Sequence, residues 1–332
     1  MKSGKIAEAV LKRSVIKAVN KQEKQHMVSA AGIGSDAGLF AYEEMTGVMA
    51  TSCTTLAGWE EGLGIVAVCR ACNSLAAAGS VPVAVTVQLM LPESLEEAKL
   101  KDTMKEILEA CEKAGVVLAS GHTQVSSFVK ERVISVTAIG TAQAAASLQE
   151  DVYGSDLVMT KSAGFAGAAL LAKNYREQLH ERYTYAFIDK AIERMPLVTV
   201  QPEVQAVKAL GVRHMHDVAE GGVFGAVWEL CERLHTGVEL ELKKIPILQE
   251  TVEISEYFDI NPYQLKGDGA LLFLTHDSAT AIRELKALGI EAKVIGRITD
   301  SNDRVLLNGE DTRFLEPNRV DEYERAIEKG KG

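Results

Sequence analysis

Apolar and polar residues alternate through Val83, Val85, Val87 and Leu89, which predicts a strand over residues 82–90. The period then turns helical. Leu95, Ala98, Met104, Ile107, Leu108 and Cys111 form one face, a Ser94-x-x-Glu97 capping box opens the helix, and Gly115 closes it. The same reading places strands at 39–41, 48–54, 116–119, 133–141 and 156–160, and helices at 4–19, 64–78 and 164–173. Gly121-His122-Thr123 reads as a tight turn. Further strands fall at 212–215, 238–242, 270–275, 292–298 and 305–307, and a helix at 278–288. Strands and helices mix without a strict βαβα rhythm, so the expected class is α+β.

The most informative segment is His216-Asp217-Val218-Ala219-Glu220-Gly221-Gly222-Val223. It leads into Val223, Val227, Leu230, Cys231 and Leu234 at helical spacing. Glycines at 221 and 222 allow close backbone approach, and first-turn N–H groups attract an anion. An aspartate beside them suits a phosphate and its metal. The alternative is that Asp217 caps the helix and the glycines shape a turn.

At 332 residues the chain exceeds one ordinary core, and the Ala-rich, then acidic stretch 142–151 divides it into domains of 1–145 and 146–332. A hydrophobic share of 47% with 25% charged residues is that of a soluble globular protein. The net charge of −10 argues against a nucleic-acid partner. The apolar stretch 62–87 is broken by Arg70, Asn73 and Pro82, which makes it core rather than membrane span. Lysines scattered through the first eighteen residues do not suit a secretory signal, and a cytoplasmic protein is expected. The five cysteines are not a disulfide framework; Cys69 and Cys72 read as small buried residues on one helix. Gly32-x-Gly34 lacks the strand-then-helix setting of a dinucleotide fingerprint.

Four segments occur in register: Gly34-Ser35-Asp36-Ala37, Asn73 to Gly79, Gly121-His122-Thr123-Gln124-Val125, and Asp217 to Gly222. Together with Met159-Thr160-Lys161 and Gly267-Asp268-Gly269-Ala270 they resemble the aminoimidazole-ribonucleotide synthetase (PurM-like) superfamily over nearly the whole chain. Within it the likeness is strongest to HypE-like hydrogenase expression/formation proteins. The resemblance implies an N-terminal domain that forms a dimeric β-barrel with a second copy, a C-terminal α+β sandwich, and an ATP site in the cleft. It implies ATP-dependent phosphoryl activation of a carbonyl or carboxamide oxygen on a small-molecule substrate, with Mg2+ held by Asp36 and Asp217. By position, Asp217 and His122 would be catalytic, and Asp36, Asn73, Gly121, Thr123, Lys161, Gly221 and Gly222 would bind the nucleotide.

The chain departs from the pattern in places. Ser74 stands where the family has the aspartate of an Asn-Asp pair, Ala50-Thr51-Ser52-Cys53 replaces Thr-Asp-Ser, and His122 stands where aspartate is frequent. A HypE protein carries its substrate group on a C-terminal cysteine, whereas the last cysteine here is Cys231, so cyanide synthesis by that route is not expected. These losses motivate a second reading, a non-catalytic nucleotide- or metabolite-binding homologue acting as sensor or partner protein. Gly267-Asp268-Gly269 reads as turn or cleft carboxylate, His214 and His216 as a packed pair, and Trp59 and Trp228 as core or dimer contacts. The central expectation is that Asp36 and Asp217 converge on one hollow beside glycine-lined peptide nitrogens.

Overall fold

The computed structural model describes residues 12, 27–29, 38–41, 48–142, 152–316 and 320–330. The helix expected over 4–19, the first glycine loop with Asp36, and the connecting stretch 143–151 lie outside the described residues.

Strands β1 (Met27–Ser29), β2 (Gly38–Ala41), β3 (Val48–Ala57), β4 (Val81–Leu91), β5 (Val117–Val125) and β6 (Val133–Ala142) form a sheet of order β1-β2-β3-β6-β4-β5. All pairs are antiparallel except β4–β5. Helices α1 (Leu63–Ala77) and α2 (Glu97–Ala114) cover one face, over Ala50, Leu56, Val85, Leu89, Ile134 and Val136. Alternation along β4 and β6 supplies that apolar face. The two helices pack closely at Gly64, where a Cβ would lie 2.9 Å from that of Glu106. Glu106 also caps α1 from its neighbour, accepting from the N–H groups of Gly62 (2.6 Å) and Gly64 (3.0 Å).

Several local expectations change here. Val83 faces solvent while Val85, Val87 and Leu89 are buried, because the register with β6 slips between Pro82 and Ala84 and a one-residue slip reverses the faces. The helix begins at Glu97 with Glu96 as its cap residue and no side-chain cap bond, so the Ser94–Glu97 box does not form, and Leu108 is exposed. Gly121-His122-Thr123 is not a turn but the middle of β5, paired with Val87, Gln88 and Leu89. A Cβ on Gly121 would sit 2.8 Å from the Val87 carbonyl oxygen, so this glycine marks close strand approach.

The second sheet contains β7 (Asp156–Thr160), β8 (Met215–Val218), β9 (Gly237–Glu241), β10 (Ala270–Thr275), β11 (Ala292–Thr299), β12 (Arg304–Asn308) and β13 (Asp311–Phe314), in the order β13-β12-β9-β11-β7-β10-β8. Along the chain lie α3 (Phe165–Asn174), α4 (Arg176–His180), α5 (Tyr185–Ile192), α6 (Gln201–Ala209), α7 (Gly222–Leu234), α8 (Gln249–Tyr257), α9 (Ser278–Ala287) and α10 (Glu322–Gly330). One face carries α7 through Val223, Val227 and Leu230 against Leu157, Met159 and Leu272. The other carries α6 and α9 through Val204, Val207 and Leu285 against Val158, Leu271 and Phe273. Strands β7 and β10 are thus buried on both faces, which explains their unbroken apolar runs. Helix α1 links the halves: Val66 and Leu75 join the first core, while Ala76 and Ala77 pack with Val158 and Phe273 of the second sheet.

At the end of α7, Glu232 accepts from Lys12 (2.8 Å) and Arg304 (2.8 Å), and those hydrogen bonds hold its carboxyl at about 2, below the usual 4.5. A depressed acid stabilises the fold above its ordinary pKa and loses that contribution as pH falls through the folded value. Glu232→Gln should therefore lower Tm by about 2–4 °C at neutral pH, for a partly exposed pair of about 1 kcal/mol. The gap should close as pH drops from about 4.5 towards 2. Melting curves of both proteins at pH 7 and pH 3 check this.

Candidate functional site at the junction of the two sheets

Arg70, Asn73 and Ser74 lie three and four residues apart on α1, so one helix face presents all three. That face meets the end of β8, the turn before β10 and the segment 197–200. Ser74 Oγ lies 3.3 Å from Asp217 Oδ2 and 3.1 Å from the Arg70 carbonyl oxygen. Arg70 grips Asp268 with two parallel bonds, Nε to Oδ1 at 2.6 Å and Nη2 to Oδ2 at 2.9 Å, and Glu220 stands 4.0 Å from Nη1. Asp217 is 4% exposed and Asp268 1%. Burial alone would lower the Arg70 pKa, but the charge and hydrogen bonds of Asp268, with Glu220, raise it. The guanidinium is a permanent cation inside the junction.

Asp217 arrives differently from its sequence reading. The strand is Met215–Val218 rather than 212–215, and Asp217 lies within it, in register with Leu271 of β10. It does not cap α7, whose cap residue is Gly221 at φ 86 with no side-chain cap bond. The seat expected at the diglycine is filled by the chain itself. Gly221 N–H donates to Asp321 Oδ2 (2.7 Å), and Asp321 also accepts from the N–H groups of Lys266 (3.1 Å) and Tyr323 (2.8 Å). Gly222 N–H donates to the Ala219 carbonyl. At this helix N-terminus the acceptor is an internal carboxyl group, Asp321.

Two further expected nucleotide ligands serve the protein interior. The Asn73 amide donates to Val198 O (2.9 Å) and accepts from Val200 N–H (3.0 Å). Lys161, at φ 55, contacts Glu203 Oε1 (2.6 Å) and donates to the carbonyls of Thr199 (2.7 Å), Gly269 (2.7 Å) and Leu197 (3.0 Å). Burial lowers the Lys161 pKa and raises that of Glu203, and each charge opposes the shift of the other. Asn73 and Lys161 therefore clamp segment 197–200 against α1 and the turn before β10. Asp268, read as turn or cleft carboxylate, is instead the Arg70 counter-ion.

His122 and Thr123 are exposed on the edge strand β5. His216 is buried with Nε2 3.3 Å from Glu229 Oε2, and His214 precedes β8. Cys69 and Cys72 are free and buried, and burial pushes both thiols up, Cys69 to about 12. They stay protonated, which suits packing. Trp228 lies under the Arg304 guanidinium at 4.0 Å, and Trp59 is 40% exposed.

In the sequence Arg70 stands out only as an interruption of an apolar run. A lone arginine inside an Ala-rich helix was the available signal, because buried charges need partners. Glu203 and Asp321 gave no comparable local sign. Among the described residues no group of three or more His, Cys, Asp or Glu side chains is arranged to hold a metal. Magnesium prefers anionic oxygens: Asp268 is neutralised by Arg70, whereas the Asp217 carboxylate beside the Ser74 hydroxyl is an oxygen donor of the kind that would hold the ion.

Family models for the AIR synthase related protein match this chain, the N-terminal domain over residues 34–142 and the C-terminal domain over 153–307. A putative hydrogenase expression/formation protein of Methanocaldococcus jannaschii is 26% identical over 253 residues, covering 74% of this chain and 72% of the relative. The carbamoyl dehydratase HypE of Rhizobium leguminosarum bv. viciae is 26% identical over 244 residues, covering 71% and 68%. A crystal structure of the hydrogenase maturation protein HypE in complex with ATP superposes with a TM-score of 0.66 at 17% identity, covering 98% of each chain.

Proposed function

We propose, on the premise that this chain belongs to the AIR synthase related proteins, that it binds ATP beside Asp217 and Ser74 and uses it to activate a carbonyl or carboxamide oxygen of a small substrate. The carrying observation is the 3.3 Å approach of Ser74 Oγ to Asp217 Oδ2, from segments 143 residues apart. Both stand at positions of the family's acidic motifs, and HypE, which shares this fold, has been crystallised with ATP. In this reading Ser74 donates to a phosphate oxygen or to Asp217, and Asp217 orients the reacting group through its carboxylate. Asp217, with Asp36 of the first glycine loop as the second proposed ligand, would hold any magnesium that accompanies the polyphosphate, and the ion would supply charge neutralisation of the phosphate oxygens. Gly121, Thr123 and His122 would approach from β5. His122 is the proposed acid or base.

A homodimer accompanies the proposal, within the domain division 1–145 and 146–332. The face of the first sheet away from α1 and α2 exposes Val81, Val83 and Met90, and its edge strand β5 exposes Val117 and Val125. Exposed aliphatics set among the hydroxyls of Thr55, Ser135 and Thr137, beside an open strand edge, suit a second copy. Light scattering should give a dimer, and a monomer counts against it. No helix among the described residues is long and apolar enough to cross a membrane, and a cytoplasmic location is proposed with the rest.

Calorimetry of ATP with and without Mg2+ tests the site. Asp217→Asn should weaken Mg–ATP binding by tenfold or more, about 1.4 kcal/mol, and reduce turnover at least as much. Unchanged affinity and turnover in that variant would sink the assignment. The sensor reading is favoured by Ser74 and Thr51-Ser52, which stand where the resemblance implies metal carboxylates. Tight ATP binding indifferent to Mg2+ and without turnover would select it.

A further inference from the structure

Helix α10 begins at Glu322, and Asp321 stands just before it, with Oδ1 accepting from Tyr323 N–H (2.8 Å). That bond is an ordinary helix cap, for which one side-chain oxygen suffices. The Asp321 carboxylate takes two more donors, from two segments outside the helix. Lys266 N–H reaches Oδ1 (3.1 Å) and Gly221 N–H reaches Oδ2 (2.7 Å). The group is 2% exposed. Burial raises its pKa, and the Lys266 charge and the three N–H donors oppose the rise. The rest of α10 is seated without it: Tyr323 and Ala326 lie in the first core, Glu322 Oε2 accepts from Asn261 N–H (3.2 Å), and Lys329 Nζ meets Asp259 Oδ2 (2.8 Å).

Each outside segment leads to one half of the Ser74–Asp217 pair. Gly221 closes the turn that leaves β8 just after Asp217. Lys266 opens the turn that carries Asp268, whose carboxylate holds Arg70, and the Arg70 carbonyl accepts from Ser74 Oγ (3.1 Å). The ladder between β8 and β10 ends at Val218 and Ala270, so these two turns lie beyond it. There the Gly267 N–H bond to the Ala219 carbonyl (3.1 Å) and the shared Asp321 carboxylate join them. We propose that Asp321 is a positioning residue for the nucleotide site, a role that rests on the nucleotide reading above. It fixes the turn 219–221 against the segment 264–269 and thereby holds Asp217 at its distance from Ser74. A carboxylate is required because donors arrive at both oxygens, and an amide would turn its NH2 towards one of them.

Asp321→Ser on the full chain separates this role from capping, because serine caps a helix as well as aspartate but its single, shorter hydroxyl does not bridge two turns. Amide hydrogen exchange should run about tenfold faster at 219–222 and 264–267 in this variant, while 322–330 keeps its protection. Calorimetry should show Mg–ATP binding weakened by about fivefold or more. Asp321→Ala, which also removes the cap, should lose protection at 322–330 yet weaken ATP binding to the same extent. Glu232→Gln, a change at the far end of α7, should leave ATP affinity unaltered, which separates positioning from a general loss of stability. Wild-type protein that binds no ATP removes the nucleotide reading and this role with it. ATP binding by the wild type that Asp321→Ser leaves unchanged overturns the positioning role alone, as does unaltered exchange at 219–222.

Discussion

Asp268→Asn is expected to cost about 3–5 kcal/mol of unfolding free energy, the scale for breaking a buried ion pair from one side. The substitution keeps the volume and removes the charge. Arg70 then remains buried with its guanidinium facing an amide, with Glu220 at 4.0 Å and the more distant Asp321 as anions still acting on it. Two bonds of 2.6 and 2.9 Å to a carboxylate become at best one bond to an uncharged amide oxygen. Urea denaturation at constant m checks the value. The double variant Arg70→Met/Asp268→Leu should recover most of the loss, because removing both charges also removes both desolvation costs. A single-variant loss under about 1 kcal/mol would show that Asp268 is not the counter-ion that holds Arg70. The pair also fixes α1 against the turn before β10, so it sets the distance between Ser74 and Asp217.

Gly222→Ala should be nearly as damaging, about 2–4 kcal/mol. Its φ of 62 places an alanine in the left-handed region, which costs about 1–2 kcal/mol. The added Cβ would also lie 2.5 Å from the Tyr263 carbonyl oxygen and 2.7 Å from that of Leu265, both backbone atoms that cannot rotate away. Overpacking of that kind adds about 1–3 kcal/mol. Gly79 supplies the control: it has φ 83 but nothing within 4 Å of a built Cβ, so Gly79→Ala should cost the conformational part alone. Chemical denaturation of the two variants side by side separates strain from clash. Equal losses would contradict the packing argument.

Gly222 also shows why the site was only partly legible. A glycine pair before a helix signals close backbone approach, and the structure has that approach. What approaches is the protein's own segment 263–265, and the anion on Gly221 N–H is Asp321, a hundred residues away. The residue types were informative; their partners were not. Lys161 follows the same logic. A lysine after a strand and before a glycine-rich helix start resembles a phosphate ligand, yet Glu203 and three carbonyls surround it. Gly121 differs from expectation for a related reason: in a single strand glycine suggests a turn, and only the parallel partner β4 shows that it permits contact with Val87.

Hydropathy alternation and helical spacing by themselves determined most of the secondary structure, including β10 at Ala270–Thr275 and α9 beginning at Ser278, and the α+β mixture. They do so because burial of one face imposes a local period of 2 or 3.6 on the chain. The short helices α5, α6 and α8 escaped that reading, since a helix of eight or nine residues completes too few turns to establish a period. Tertiary structure alone decided which charges meet: Arg70 with Asp268, Lys161 with Glu203, Asp321 with Gly221, and Ser74 with Asp217. Long-range pairs leave no periodic trace. A buried ion finds its partner in space, and the wedging of α1 between the two sheets is what brings residues 198 positions apart to within 2.6 Å.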